Sequence, residues 1–362
     1  MKRIWIQRIG AAVLCAVLLA GCIPGGPAAD STASADPLTG QEQQYPGQRP
    51  AAVVIDNAPG STTQWGIGSA SVVLEAAARA DTAPSLCLVY PSVSAMPTVG
   101  PVTLGQDLFW RLLSGQQVLP IQRGCDLYTR NFLDYWNLRA VDALETGRNA
   151  FTTGNTDWAS PLWCTNGQSV AKVLSSLSLS SALSEDPAES ADSTQEGDTS
   201  AVPTVPALLP QQTDGHLPDA DVADAAQAAV QFPSGSTTRF AYDTDTGTYG
   251  MLHHDGSPQL DANTGIQAAF DNLLVLYSAS TPRDDGRTLD YDLTMGGGLW
   301  LNGGHLWHIT WTQGTGSTFA FYDADGRPLR ILSGRSYIAW LSSLTGEEVT
   351  VQDSAGNDLL QP

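Results

Sequence analysis

The sequence predicts an α+β fold, a mixed α/β N-terminal domain over residues 49–179 followed by a β-rich C-terminal domain over 207–352, and three observations carry it. Up to residue 179, continuous apolar runs alternate with stretches of helical periodicity. A segment of Ser, Asp, Glu, Thr and Pro then interrupts the pattern. Beyond it, short alternating runs are punctuated by Asp- and Asn-Gly turns.

At the start of the chain, Lys2, Arg3 and Arg8 flank an apolar run, Ile9 to Leu19, about half as long as a permanent bilayer-spanning helix. Leu19-Ala20-Gly21-Cys22 follows, the lipobox in which cleavage precedes a cysteine whose thiol receives a diacylglycerol. Residues 1–22 are therefore expected to be a lipoprotein signal peptide, with Cys22 the lipidation site and the lipid bilayer the first partner. This places the protein on the extracytoplasmic face of the cell membrane. Residues 23–48 carry Pro, Gly, Ala, Ser, Asp and Gln without an apolar period and are expected to form a disordered tether.

The α/β domain opens on Arg49 to Asn57, whose apolar run reads as a strand buried on both faces and ending in Asp-Asn. Ser71 to Glu75 follow, then strands over Ser85–Tyr90 and Gln117–Gln122. Helices are expected over Leu104–Ser114, Leu127–Asn137 and Gly167–Leu179. Residues 180–206 read as an acidic low-complexity linker. In the C-terminal domain, strands are expected at Arg239–Tyr242, Leu273–Tyr277, Gly298–Leu301, Leu306–Trp311, Phe319–Tyr322 and Ser336–Leu341, with one short helix over Val222–Val230.

Removal of Lys2, Arg3 and Arg8 with the signal takes the formal charge from −20 to −23. So acidic a surface repels nucleic acid and anionic polymer, which bind by releasing counterions to Lys and Arg. Cys15 leaves with the signal and Cys22 is acylated, so Cys87, Cys125 and Cys164 remain, enough for one disulfide. Cys125 with Cys164 is the expected pair, because Cys87 sits inside an apolar run; three free thiols is the alternative.

Several patterns resemble chemistry without completing it. Ser169-Val170-Ala171-Lys172 matches S-x-x-K, yet neither Ser-Asp-Asn nor Lys-Thr-Gly accompanies it. His305 and His308 fall in an alternating run, where residues three apart face opposite ways, and His253-His254 are adjacent, so neither pair shares a metal. The Asp-rich turns lack the third ligand and distal glutamate of a calcium loop and read as Asx turns. The sequence calls for no cofactor and no metal. Asp56 and Asn57 are the candidate ligand-binding pair, since residues beyond the carboxyl end of a buried strand face the crevice of an open sheet, and Glu75 is placed with them; the alternative is that Asp56 caps a helix or turn through its carboxylate. The first domain contains no histidine to pair with them. Aromatic residues crowd the second domain, from Trp300 to Trp340, where a core role and an exposed stacking or anchoring face are both open.

The N-terminal "RPAAVVIDNAP…ASVVLEA…VGPV" and the C-terminal "RFAYDTDTGTY…GSPQLDANTG…FYDADGRP" together resemble the YerB-like lipoproteins, a two-domain family of unknown function (domain of unknown function 3048). The resemblance covers nearly all of the chain beyond tether and linker. It implies an extracytoplasmic lipoprotein working with cell-wall synthesis proteins. Relatives continue Gly-Pro-Val with two arginines and carry a His-Asn pair before a Leu-Tyr-Thr segment, where this sequence has Thr103, Gln106 and Ser160-Pro161. A ligand that the family holds through those groups would therefore not be shared. The expected function is a non-catalytic binding or scaffolding role at the envelope. The alternative is an envelope hydrolase or transferase acting on a wall fragment at the Asp56 crevice. Solute capture would need two similar lobes, and the halves differ.

Overall fold

Strands buried on both faces need apolar side chains at every position, and the run Ala51–Asp56 (β1) supplies them, as do Val72–Ala76 (β2) and Ser85–Tyr90 (β3). Two shorter strands, Leu119–Gln122 (β4) and Val141–Asp142 (β5), complete the N-terminal half. Its helices are Asp107–Leu112 (α1), Leu127–Tyr135 (α2), Ala143–Thr146 (α3) and Gly167–Leu174 (α4). Asp126 and Asn166 cap α2 and α4, each side chain accepting from the N–H three residues on. The computed structural model describes residues 34–61, 63–154, 161–184, 202–213, 217–314 and 317–360. The signal peptide, Cys22 and most of the expected linker lie outside the described residues.

The C-terminal half is strand-rich: Val222–Ala223 (β6), Gln227–Gln231 (β7), Thr237–Asp243 (β8), Thr248–Leu252 (β9), Ala269–Phe270 (β10), Asn272–Ser278 (β11), Met295–Asn302 (β12), His305–Gln313 (β13), Phe319–Tyr322 (β14), Pro328–Leu329 (β15), Ser336–Ser342 (β16) and Glu348–Gln352 (β17). The fold is thus α+β, a mixed helix and strand part followed by a strand-rich part, as the sequence predicts.

The two parts share one sheet. Its order is β15-β14-β13-β12-β11-β16-β2-β3-β1-β4-β5, with β6 beside β13. β16 lies between β11 and β2, parallel to both, and pairs Val72 with Ser336 through to Ala76 with Trp340. All seven residues of β16 are buried. A second sheet, β10-β9-β8-β7-β17, packs on one face through Val230, Phe240, Tyr249 and Met251. On that face Val53, Ile55 and Val73 also meet Val170, Val173 and Leu174 of α4. The opposite face of the large sheet is covered by Leu108, Phe109, Trp110 and Leu112 of α1, which join Ala52, Val54, Leu74, Ile338 and Trp340.

Two expectations are corrected. From Ser34 on, the expected tether belongs to the fold: Leu38 is wholly buried in the core against Leu208 and Leu209. The Asp36 carboxylate fixes that turn by accepting from the N–H groups of Leu38 and Thr39. The helix expected over Val222–Val230 is instead two strands, β6 and β7. Asp224 between them has φ 64°, a left-handed conformation that a helix excludes.

Candidate functional site

β1 ends at Asp56 and β2 carries Glu75 two strands over, with β3 between them in the sheet, so the chain beyond β1 reaches across β3 to Glu75 of β2. Asp56 Oδ1 accepts from the N–H of Ala58, a local turn of 3.1 Å. Asn57 Nδ2 donates to Glu75 Oε1 at 2.6 Å, so the sequence-predicted Asn57 and Glu75 meet. Gln64 Nε2 locks the turn from behind, donating to the Asp56 carbonyl at 2.7 Å and to Asn57 Oδ1 at 2.9 Å.

Glu75 is fully buried on the face turned toward the second sheet. Two of its partners come from the other half of the chain. Thr238 of β8 donates to Oε1 at 2.9 Å, and the Tyr337 hydroxyl of β16 donates to Oε2. Burial pushes the Glu75 carboxyl up to about 7, with the hydrogen bonds from Tyr337, Thr238 and Asn57 pulling the other way. Burial also lifts the Tyr337 phenol far above its ordinary value.

Beside this cluster lies a small polar cavity of about 20 Å³, lined by Asn57, Ser236, Thr238, His253, His254 and Gln259 among others. That is room for one water-sized group. His254 Nδ1 accepts from the N–H of Thr237 at 3.1 Å, which fixes the proton of the neutral ring on Nε2. Burial pushes the His253 imidazole below its ordinary value. Gln64 Oε1 and Gln259 Nε2 are buried without a hydrogen-bond partner.

Two further contacts join the halves next to this cluster. Asp261 accepts from the N–H groups of Gly66 (3.1 Å) and Gly68 (2.8 Å). Arg335 donates to the carbonyls of Ala70, Ala269 and Ile67, and its guanidinium lies over the Phe270 ring at 5.0 Å. Gly66 has φ 91°, and a Cβ there would meet the Tyr90 hydroxyl at 2.5 Å. Sequence reading singled out Asn57 and Glu75 from their place at the ends of apolar runs. It missed Thr238, Tyr337, Asp261 and Arg335, which no short-range pattern connects to residues so distant in sequence.

The expected Cys125–Cys164 disulfide is corrected: Cys87, Cys125 and Cys164 are all free thiols. Cys164 is buried with its sulfur against Gly100 and Gly154, whereas partly exposed Cys125 bridges to Gly105. His305 and His308 have separate partners, the Gly303 carbonyl and Asp221. Ser169 and Lys172 stand at the surface of α4, with no base beside the serine hydroxyl among the hydrogen bonds of the described residues. Among the described residues no group of three His, Cys, Asp or Glu side chains is set to hold a metal, and no helix is long and apolar enough to cross a membrane. The second-half aromatics fill the core, Trp300, Trp311, Tyr337 and Trp340 being at most 1% exposed.

A mixed half and a strand-rich half, fused through one sheet and pinned by a buried carboxyl, define a two-part sheet protein whose joint is polar. The chain belongs to the family described as "Protein of unknown function (DUF3048)", matching its N-terminal domain over residues 38–180 and its C-terminal domain over 228–338. It is 26% identical over 321 residues to the Bacillus subtilis (strain 168) protein named "Putative lipoprotein YerB", covering 87% of this chain and 88% of the relative. The crystal structure of the YerB protein from Bacillus subtilis has the same fold, with a TM-score of 0.70 at 20% identity over 88% of this chain and 99% of that one.

Proposed function

We propose that this protein is an extracytoplasmic lipoprotein, held to the cell membrane by acylated Cys22, that binds rather than catalyses and acts as a scaffold alongside cell-wall synthesis proteins. The observation supporting the binding role is the state of the Glu75 carboxyl. Both of its oxygens accept hydrogen bonds from Asn57, Thr238 and Tyr337, so its polar capacity joins the halves instead of facing a substrate. The lipobox at Leu19–Cys22 and the name of the Bacillus relative support the anchor.

The test is a crosslinking pull-down from native membranes, comparing the wild type with Cys22→Ala. Recovery of cell-wall synthesis proteins with the wild type alone is the expected result. One observation favours a second reading, an envelope hydrolase or transferase acting on a wall fragment: the cavity lined by His253 and His254 shares Asn57 and Thr238 with the Glu75 carboxyl, which burial pushes up to about 7, a range that suits proton transfer. If neither form recovers a protein while the purified chain consumes a wall fragment in a Glu75-dependent manner, scaffolding is wrong.

A further inference from the structure

Among the described residues the most exposed aromatic side chains, Tyr135 and Trp136, stand at the end of α2, the helix between β4 and the edge strand β5. Tyr128, Phe132 and Trp136 recur every fourth residue along α2 and its C-terminal cap, and so line one side of the helix over about 12 Å. They border two hollows of about 480 and 590 Å³. Arg111 and Phe132 line both hollows, which therefore adjoin as the two ends of one open trough. Volumes of this size are those of small-molecule sites.

One end of the trough is aromatic. Trp136 is 61% exposed, yet it is propped by Phe132 (ring centroids 6.4 Å) and by Tyr135 edge-on at 5.3 Å. The other end is a closed ring of charge. Arg111 pairs with Asp290 at 2.8 Å, Arg283 with Asp107 at 2.6 Å and with Asp290 at 3.1 Å, and Arg111 lies 3.6 Å from Asp107. Arg283 is itself held over the Tyr128 ring at 4.8 Å. The two guanidinium and two carboxylate groups of the ring cancel, and exposed Asp284 adds one negative charge at the rim, in a chain of formal charge −20.

We propose that this trough binds a neutral oligosaccharide. The paired ring offers an anion no free cation, and the single solvated carboxylate of Asp284 is a weak hold for a cation. Fixed, planar donors on Arg111 sit next to half-exposed acceptors on Asp290, the combination that grips neighbouring sugar hydroxyls. The propped indole offers a flat face to the C–H side of a sugar ring. A protein contact of this size would instead keep charge out of its centre. This assignment is independent of what the Glu75 joint does.

The test uses the full-length chain in detergent, titrated with chitotetraose and cellotetraose and followed by calorimetry. Saturable binding of at least one is expected. Trp136→Ala should weaken it by roughly tenfold or more, the order seen when one stacked aromatic is removed, and Asp290→Asn should weaken it as well. Because Trp136 is exposed, the urea midpoint of Trp136→Ala should stay at the wild-type value, separating lost binding from lost fold. Absence of binding to both sugars overturns the proposal, as does binding that Trp136→Ala leaves unchanged. Loss of a crosslinked protein in Trp136→Ala, without sugar binding by the wild type, would make the trough a protein contact and equally overturn it.

Discussion

At the scale of single residues, Glu75 sets a dependence on pH whose sign follows from its surroundings. Its folded-state carboxyl is raised from 4.5 to about 7, because burial penalises the ionised form more than three hydrogen bonds favour it. The folded state therefore holds its proton at pH values where the unfolded chain has released it. Stability from this group is complete below pH 4.5 and is lost as pH rises through about 7, by roughly 3 kcal/mol in all. Glu75→Gln keeps the shape without the charge, so the difference in urea midpoint between variant and wild type should grow in the variant's favour from pH 4.5 to 8. An identical pH slope in the two proteins would dismiss this account. The site was half legible in the sequence. Asn57 and Glu75 end apolar runs and could be named, whereas Thr238 and Tyr337 lie 163 and 262 residues away from Glu75 and carry no mark in their own neighbourhoods. Trp136 was legible in principle, through its four-residue spacing from Phe132 on a helix whose buried residues are only Thr129 and Leu133.

At the scale of elements, the strands with unbroken apolar runs were readable and the segments with isolated apolar residues were not. β1, β3 and β16 fall where the sequence places them because burial on both faces demands hydrophobicity at every position. Leu38 stands alone among Pro, Thr, Gly and Asp, so no period reveals that it plugs the core. Ala-rich Val222–Val230 has high helix propensity, but Ala228 and Val230 alternate inward from the second sheet, and tertiary packing overrides propensity. The segment around Leu38 gives a direct prediction. Leu38→Ala should cost about 2–4 kcal/mol in urea unfolding, as for other buried leucines. A cost within about 0.5 kcal/mol would return Ser34–Gln48 to the status of a free tether.

At the scale of the whole molecule, the seam between β2 and β16 makes the two halves thermodynamically one body. Five paired residues, the Glu75 cluster, Asp261 on the Gly66–Gly68 turn and Arg335 on the Ile67 and Ala70 carbonyls all cross it. The residues from Ser34 to Pro362 should therefore melt in a single step, with calorimetric and van't Hoff enthalpies equal. Two separable transitions would mean that the seam contributes little.

The late position of β16 in the chain also governs timing. A polypeptide that emerges N-terminus first presents β1, β2 and β3 long before Ser336–Ser342 exists to cover the open side of β2. Until then that side is a bare row of N–H and C=O groups, ready to pair with any passing strand. Productive folding must wait for almost the last tenth of the chain, across a loop closure of more than 250 residues. A nascent molecule is thus most vulnerable to self-association just before it is finished, and a stop shortly before Ser336 would be far more damaging than its small loss of length suggests.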